Sequence, residues 1–465
     1  MVRERIPAQE VDVSILGAPL TFRNTRKAKN RFLKASMTEK LSTWDSEDLS
    51  RRGIPTQDLI NVYDKWGHGG FGMILTGNVM VDPRNLESAG NPIICKENDS
   101  VELRKAFSKL ANVSKYDGAL VLAQISHAGR QTPLAVNAHP YSSSDVQLVS
   151  EIVKAGKPIP LALDQIKTEV IDRFVFAAKV AYETGLCSLN LSIARELVRG
   201  FDGVQLHAAH GYLLSQFLSP TTNRRTDRYG GSLQNRIRIV VEIYSAIRKE
   251  IPATTGFLVG IKTNSVEFQA NGLTIEDAKE ACSIMERCGF DFVELSGGTL
   301  EKIAWQHERE STRNREAYFI EFAEQIRPVF KETVVYVTGG FRTAAGMVKA
   351  IKSGVTDGIG LARPVTAEPD LPLKILRRCC FSAADTKINQ DDFMTTFFVS
   401  LAQMGQMAKL PASVVNNISD GIADLSIRDE AENFKKCVED YLPVMQKLIA
   451  DNVPIYGAFP YKNLF

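Results

Sequence analysis

No stretch of this chain stays apolar for the roughly 18–20 residues that a membrane span requires. Its opening residues, MVRERIPAQE, hold none of the apolar core of a secretory signal. Cysteine is sparse. The seven residues are Cys95, Cys187, Cys282, Cys288, Cys379, Cys380 and Cys437; the number is odd and no two form a CxxC pair. That fits reduced thiols in the cytoplasm better than a disulfide framework or a zinc site. Blocks of one charge sign are also missing: no Lys/Arg run reaches five and the net charge is +2. A nucleic-acid footprint needs a concentrated basic face, so neither nucleic acid nor membrane is an expected partner. What is present is the composition of an ordinary globule, 44% hydrophobic and 24% charged. At 465 residues the chain has room for one α/β barrel and an extension.

Short β-rich runs alternate with amphipathic helical stretches. The strand candidates are Arg31–Ser36, Phe71–Thr76, Ala119–Ile125, Asp202–His207, Phe257–Thr263, Phe290–Ser296, Val334–Thr338 and Gly358–Ala362. Most are continuous Val/Ile/Leu/Phe runs, the mark of strands buried on both faces. Between them the periodicity predicts helices over Gln57–Trp66, Val101–Lys115, Asp164–Glu183, Ser232–Lys249, Thr274–Arg287, Glu316–Val329 and Thr343–Lys352. Eight strands in such an alternation favour a closed TIM (β/α)8 barrel over an open sheet. From Cys380 onward the pattern is helical only, with runs at Thr395–Met407 and Ala431–Leu448. The expected division is a barrel over residues 1–380 and a C-terminal helical extension, packed on the barrel, over residues 381–465. One segment breaks the rhythm: Leu186–Gly200, LCSLNLSIARELVRG, intervenes where a helix-to-strand joint normally takes two to six residues. Ser192–Val198 within it could form one or two extra helical turns.

The most informative stretch follows the fourth strand. The apolar run Val204–Leu206 leads straight into His207, His210 and Tyr212, then into Arg224, Arg225, Asp227 and Arg228, a Gly230-Gly231 turn, and Ser232 as an expected helix N-cap. Polar groups at the carboxyl end of a barrel strand mark an active site. The two histidines could be metal ligands, a satisfied structural pair, or two N–H donors aimed at one oxygen. Their i,i+3 spacing with no nearby carboxylate speaks against metal, and the donor reading is preferred. A tyrosine here is often a packing residue, but beside two such donors it can deliver a proton to a developing carbanion.

Two further groups sit at other strand ends. Gly339-Gly340 after the seventh strand and Arg363 after the eighth occupy the positions where barrels bind phosphate, the glycines admitting close backbone approach and the arginine supplying a charged fork. Thr38, Gln124 and Lys262 are scattered. Converging on one heterocycle, the first two would read its carbonyl and N–H pattern and Lys262 would hold negative charge on it.

The chain resembles the old yellow enzyme family of NAD(P)H-dependent, FMN-containing ene-reductases. The resemblance runs from about Ala18 to Pro369. Its most specific part is HAAHGYLLSQFLSPTTNRRTDRYGGSLQNR, supported by NRFLKASMT, GGFGMILTGNV, LAQISHAGR, VELSGG, YVTGGF and GLARP. The resemblance implies FMN as cofactor, NADPH or NADH as hydride donor, and an activated alkene as the small-molecule substrate. By the same resemblance His207 and His210 bind the electron-withdrawing oxygen of an α,β-unsaturated carbonyl compound and Tyr212 is the proton donor. Ser36, Met37, Thr38, Asn78, Gln124, Lys262, Gly339, Gly340, Ala362 and Arg363 match cofactor-binding positions, and no metal is implied. Ping-pong hydride transfer through one site is the implied mechanism. Oligomeric state is left open, a homo-oligomer included.

Four departures from the family pattern stand out. Lys262 replaces a common Arg, Ser36 a common Pro and Gly77 a common Glu, while Leu186–Gly200 lacks a counterpart. The competing readings are another FMN barrel oxidoreductase, or a flavin-binding protein whose catalysis the insertion impairs.

Overall fold

The computed structural model describes residues 3–150, 152–184, 200–265, 267, 271–301, 316 and 319–462. Eight parallel strands close into a barrel: β1 (Phe32–Lys34), β2 (Met73–Met80), β3 (Leu120–Ser126), β4 (Gly203–Ala208), β5 (Leu258–Asn264), β6 (Phe292–Ser296), β7 (Val334–Thr338) and β8 (Gly358–Leu361). Each expected strand is present, and β2 runs on past Thr76 through an irregularity between Leu75 and Asn78. The helices packed outside are α1 (Gln57–Gly67), α2 (Val101–Ser114), α3 (Asp172–Glu183), α4 (Arg238–Glu250), α5 (Ile275–Cys288), α6 (Ile320–Ile326) and α7 (Ala344–Lys352). Side-chain caps set several of their starts: Thr56, Ser100, Thr274 and Thr343 each accept a backbone N–H from the first turn.

Three expected helices differ in detail. Residues Ile166–Ile171 form a π turn before α3. The Ser232 N-cap is present, but its helix, Leu233–Arg236, breaks at Ile237 before α4. The expected start at Glu316 is instead a turn with φ 61°, and α6 begins at Ile320. Cys187 and, apart from Gly200, the Leu186–Gly200 segment lie outside the described residues. So do Trp305, His307 and Tyr318, which the sequence places on a long capping loop as candidates for the mouth of the site.

The expected continuous apolar strands are buried on both faces, but one face is not apolar. Outward residues such as Val121, Ala123, Ile125, Val204, Leu206, Val259, Ile261, Val335 and Val337 form the core between sheet and helices. Inward residues change character along the barrel axis. The amino end is a plug of Leu33, Met73, Leu75, Leu120, Leu122, Leu258, Phe292 and Tyr336, closed by Leu20, Phe22 and Ala28 of an N-terminal hairpin. Above the plug the same alternation turns Gln124, Gln205, Lys262 and Glu294 inward. Large and small residues interlock in the plug: a Cβ on Gly260 would sit 2.2 Å from the Phe292 ring.

Beyond the barrel, α8 (Phe393–Met407) and α9 (Arg428–Ala450) pack on its carboxyl-end mouth, and α9 contains Pro443. No helix among the described residues is long and apolar enough to cross a membrane.

Gly260→Ala should force Phe292 out of its place and cost about 1–3 kcal/mol. Denaturant unfolding would show this as a lower midpoint at unchanged slope; an unchanged midpoint would mean the plug yields without strain.

Candidate active site

Because all strands run the same way, their carboxyl ends meet at one mouth. A cavity of about 410 Å³ opens there, and every sequence-predicted site residue lines it: Ser36, Met37, Thr38, Asn78, Gln124, His207, His210, Tyr212, Lys262, Gly339, Gly340, Ala362 and Arg363. The turn after β4 makes this convergence. His210 takes φ 58° and Gly211 φ 79°, a sharp left-handed reversal that brings His210 back beside His207 and sets Tyr212 behind it. The strain is anchored: Asn264 at the end of β5 accepts the His210 backbone N–H at 3.1 Å.

The imidazoles form one chain. Ser126 Oγ lies 3.1 Å from His207 Nδ1, His207 Nε2 lies 3.3 Å from His210 Nδ1, and His210 Nε2 lies 2.9 Å from Ser296 Oγ. Burial first, then His210 and the Lys262 ammonium, hold His207 well below its usual pKa. Burial and then Lys262 do the same to His210. Both rings are therefore neutral at pH 7, and each carries one N–H. A serine hydroxyl can donate as well as accept. The His207–His210 contact needs one donor and one acceptor; with both serines donating to the outer nitrogens, the ring protons would lie on the two inner nitrogens, and an oxygen entering there would replace that contact and accept from both.

Tyr212 stacks at a tilt on His207, ring centroids 4.2 Å apart. Its hydroxyl accepts from Asn78 Nδ2 at 3.0 Å, which leaves the phenolic proton available to donate. Burial, and to a smaller degree Glu87, push its pKa well above 10, so it stays protonated. Asn78 Nδ2 also lies 3.4 Å from Thr38 Oγ1, tying the ends of β1 and β2 to the phenol.

Beneath these groups runs a buried polar thread. Gln124 Nε2 donates to Gln205 Oε1 at 2.7 Å, Gln205 Nε2 donates to Glu294 Oε2 at 2.8 Å, and Lys262 Nζ pairs with Glu294 Oε1 at 2.9 Å. Gln205, Glu294, Ser126, Ser296 and Asn264 did not emerge from the sequence reading. The signal was there: each stands at an inward register position, two residues from another inward residue on its strand. Lys262, expected to hold negative charge on a cofactor, is paired with Glu294. The Glu missing at Gly77 is replaced from elsewhere. A Cβ on Gly77 would sit 2.1 Å from Glu39 Oε2, so the carboxylate arrives from the loop after β1.

The residues fit a flavin phosphate. Four buried polar atoms on the mouth, Ser36 Oγ, Gln124 Oε1, Gln131 Oε1 and Thr338 Oγ1, have no hydrogen-bond partner among the described residues. Such atoms cost free energy unless a ligand satisfies them. The Gln124 acceptor suits a ring N–H. At the β7–β8 edge Gly339 and Gly340 have φ 127° and 95°, opening backbone beside Arg363 where a phosphate would be held. Gly360 is dictated by the same corner, since a Cβ there would lie 1.8 Å from Thr338 Oγ1.

Comparison with known proteins agrees with this geometry. The sequence profile of the NADH:flavin oxidoreductase / NADH oxidase family matches residues 16–379. An NADH-dependent flavin oxidoreductase, nadA, of Aspergillus parasiticus is 41% identical over 440 residues, covering 93% of each chain. The NADH-dependent flavin oxidoreductase iliE of Hypocrea jecorina is 33% identical over 378 residues, 77% of this chain and 88% of that one. Among solved structures, the old yellow enzyme homologue from Zymomonas mobilis superposes with a TM-score of 0.63 at 23% identity, covering 82% of this chain and 96% of the other. The chain therefore belongs to the NADH:flavin oxidoreductase / NADH oxidase family, that of old yellow enzyme, and is a flavin-dependent oxidoreductase served by a nicotinamide hydride donor.

Proposed function

We infer that this enzyme reduces the C=C bond of α,β-unsaturated carbonyl compounds in a ping-pong cycle. The observation that carries the reading is the pair of neutral imidazoles with facing inner nitrogens, stacked beside a protonated tyrosine at one cavity wall. FMN, when bound, supplies the hydride that NADH or NADPH has delivered. Ser36, Thr38, Gln124, Lys262, Gly339, Gly340 and Arg363 are the residues that would hold it, with Met37, Asn78 and Ala362 completing the wall.

The chain's own groups do the rest. His207 Nε2 and His210 Nδ1 each present an N–H to the carbonyl oxygen of the substrate, drawing electron density from the β-carbon. Negative charge grows on that oxygen as the β-carbon accepts hydride, and two preorganised donors in a buried site stabilise it. Tyr212 Oη gives its proton to the α-carbon, while Asn78 holds the phenol oxygen in place and stabilises the charge it acquires. Ser126 and Ser296 keep the ring protons on the inner nitrogens.

Residues 1–380 would form the catalytic barrel and 381–465 an extension over its mouth. The described cysteines stand unpaired, in support of a reducing compartment, the cytoplasm.

Replacing His207 with Ala should lower the rate at which 2-cyclohexenone reoxidises the enzyme by about 10²–10³-fold, and flavin reduction by NADH much less. Equal losses in the two half-reactions, followed by stopped flow, would contradict the role. Tyr212→Phe should leave flavin reduction nearly intact and slow enone turnover by about 10²-fold or more; a parental rate would require another proton source. The pKa directions also fix a pH profile. His207 and His210, lowered, have lost their extra protons well below neutrality, and Tyr212, raised, keeps its own above it. Enone reduction in the second half-reaction should thus be flat from about pH 6 to about pH 9, with no step near the usual histidine value of about 6.5. A titration there would show that a charged imidazole takes part.

A further inference from the structure

The outer part of the cavity is built by the C-terminal helices α8 and α9 and the segment after them. Helix α9 changes role at Pro443. Ahead of it, Ala431, Phe434 and Val438 are buried, with Phe434 in an aromatic cluster alongside Phe398, Phe459 and Tyr461. Beyond it no residue of the helix is buried. Pro443 has no backbone N–H, so the helix forgoes one hydrogen bond there. Tyr441, Met445 and Ile449, spaced four apart and so on one face that spans Pro443, line the cavity, and Tyr441 and Met445 also pack by one side against the core.

The roof is fastened to the site it covers. Gly457 N–H donates to the carbonyl of Lys40 at 3.0 Å, two residues beyond Thr38. Ser88 Oγ donates to the carbonyl of Ile455 at 3.3 Å, and Lys154 Nζ reaches the Ala450 carbonyl at 3.4 Å. These links tie the end of α9 and the segment after it to the loops following β1, β2 and β3. Across from α9 the wall is completed by Leu134, Val136 and Ile152; Val136 also packs on the cluster that holds Tyr212. An apolar surface of this extent, continuous with the imidazole pair, calls for an apolar ligand body, because a polar one would lose hydration without gaining partners.

We propose that the face of Tyr441, Met445 and Ile449 binds the body of the substrate, so that the physiological alkene is an enone bearing a bulky aryl or fused-ring group. This rests on the enone-reductase reading for the reaction, but not for the binding.

The test uses the full FMN-loaded chain with two enones, chalcone and 2-cyclohexenone, and the saturated diphenyl ketone 1,3-diphenylpropan-1-one as a non-reacting probe. In the parent enzyme, kcat/KM for chalcone should exceed that for 2-cyclohexenone. Met445→Trp should cut the chalcone-to-cyclohexenone ratio at least about tenfold, the scale on which a filled pocket discriminates. It should weaken binding of the saturated ketone, read from perturbation of the flavin spectrum, to a similar extent. Met445→Ala should shift both in the same direction by about threefold. If the Trp variant loses its flavin, the Ala variant decides. Ratios and ketone affinity that ignore Met445 would overturn the proposal. Failure of both enones to reoxidise the enzyme would instead count against the reaction, and Met445-dependent ketone binding would still uphold the chamber.

Discussion

Glu294 sits fully buried inside the barrel, and its ion pair with Lys262 is the contact on which the site turns. A lone carboxylate there would lose its hydration with nothing in return, so it must be paired and hydrogen-bonded. Lys262 meets one oxygen and Gln205 the other. Gln205 in turn accepts from Gln124, which orients that amide and leaves its oxygen pointing at the mouth. Four neighbouring strands are thus locked in register by one thread of polar side chains. The same thread puts a cation beneath the histidine pair, which helps keep both rings neutral.

A second buried network steadies the rim from outside the barrel. Lys34 donates to the Leu75 carbonyl at 3.0 Å and faces the rings of Tyr63 and Trp66. Tyr63 donates to Glu39 and accepts the Gly77 N–H at 2.7 Å. Burial pulls Lys34 down and Glu39 up, each toward neutrality, and their mutual attraction opposes the change. The consequence is positional. The segment between β1 and Glu39 carries Ser36, Met37 and Thr38, and it is clamped at both ends. Gly77 is the residue that lets the Glu39 carboxylate in, which gives a physical reason for the departure from the family pattern at that position.

The extension acts on the mouth from above. Its first helix, α8, puts Gln403 against Thr366 just beyond Arg363, and its tail is pinned to loops that follow β1 and β2. Barrel and extension therefore share a wall: the barrel supplies the polar floor, and the extension supplies the apolar roof.

The sequence alone determined the periodic features. Eight strands, the alternating helices and most helix starts follow from side-chain period and capping chemistry, which are local. The cluster after β4 and the glycine-arginine corner were legible because short motifs carried them. Pairing across strands was not. Gln205 and Glu294 share the inward register of His207 and Phe292 on their strands, but only barrel closure decides that they meet Gln124 and Lys262. Ser126 and Ser296 lie 170 residues apart in the chain, yet they bracket one imidazole pair. The roof over the cavity depends on which face of α9 turns toward the mouth and on what its last turns leave unburied. Such contacts join distant segments through the packing of the whole chain, so no local pattern announces them.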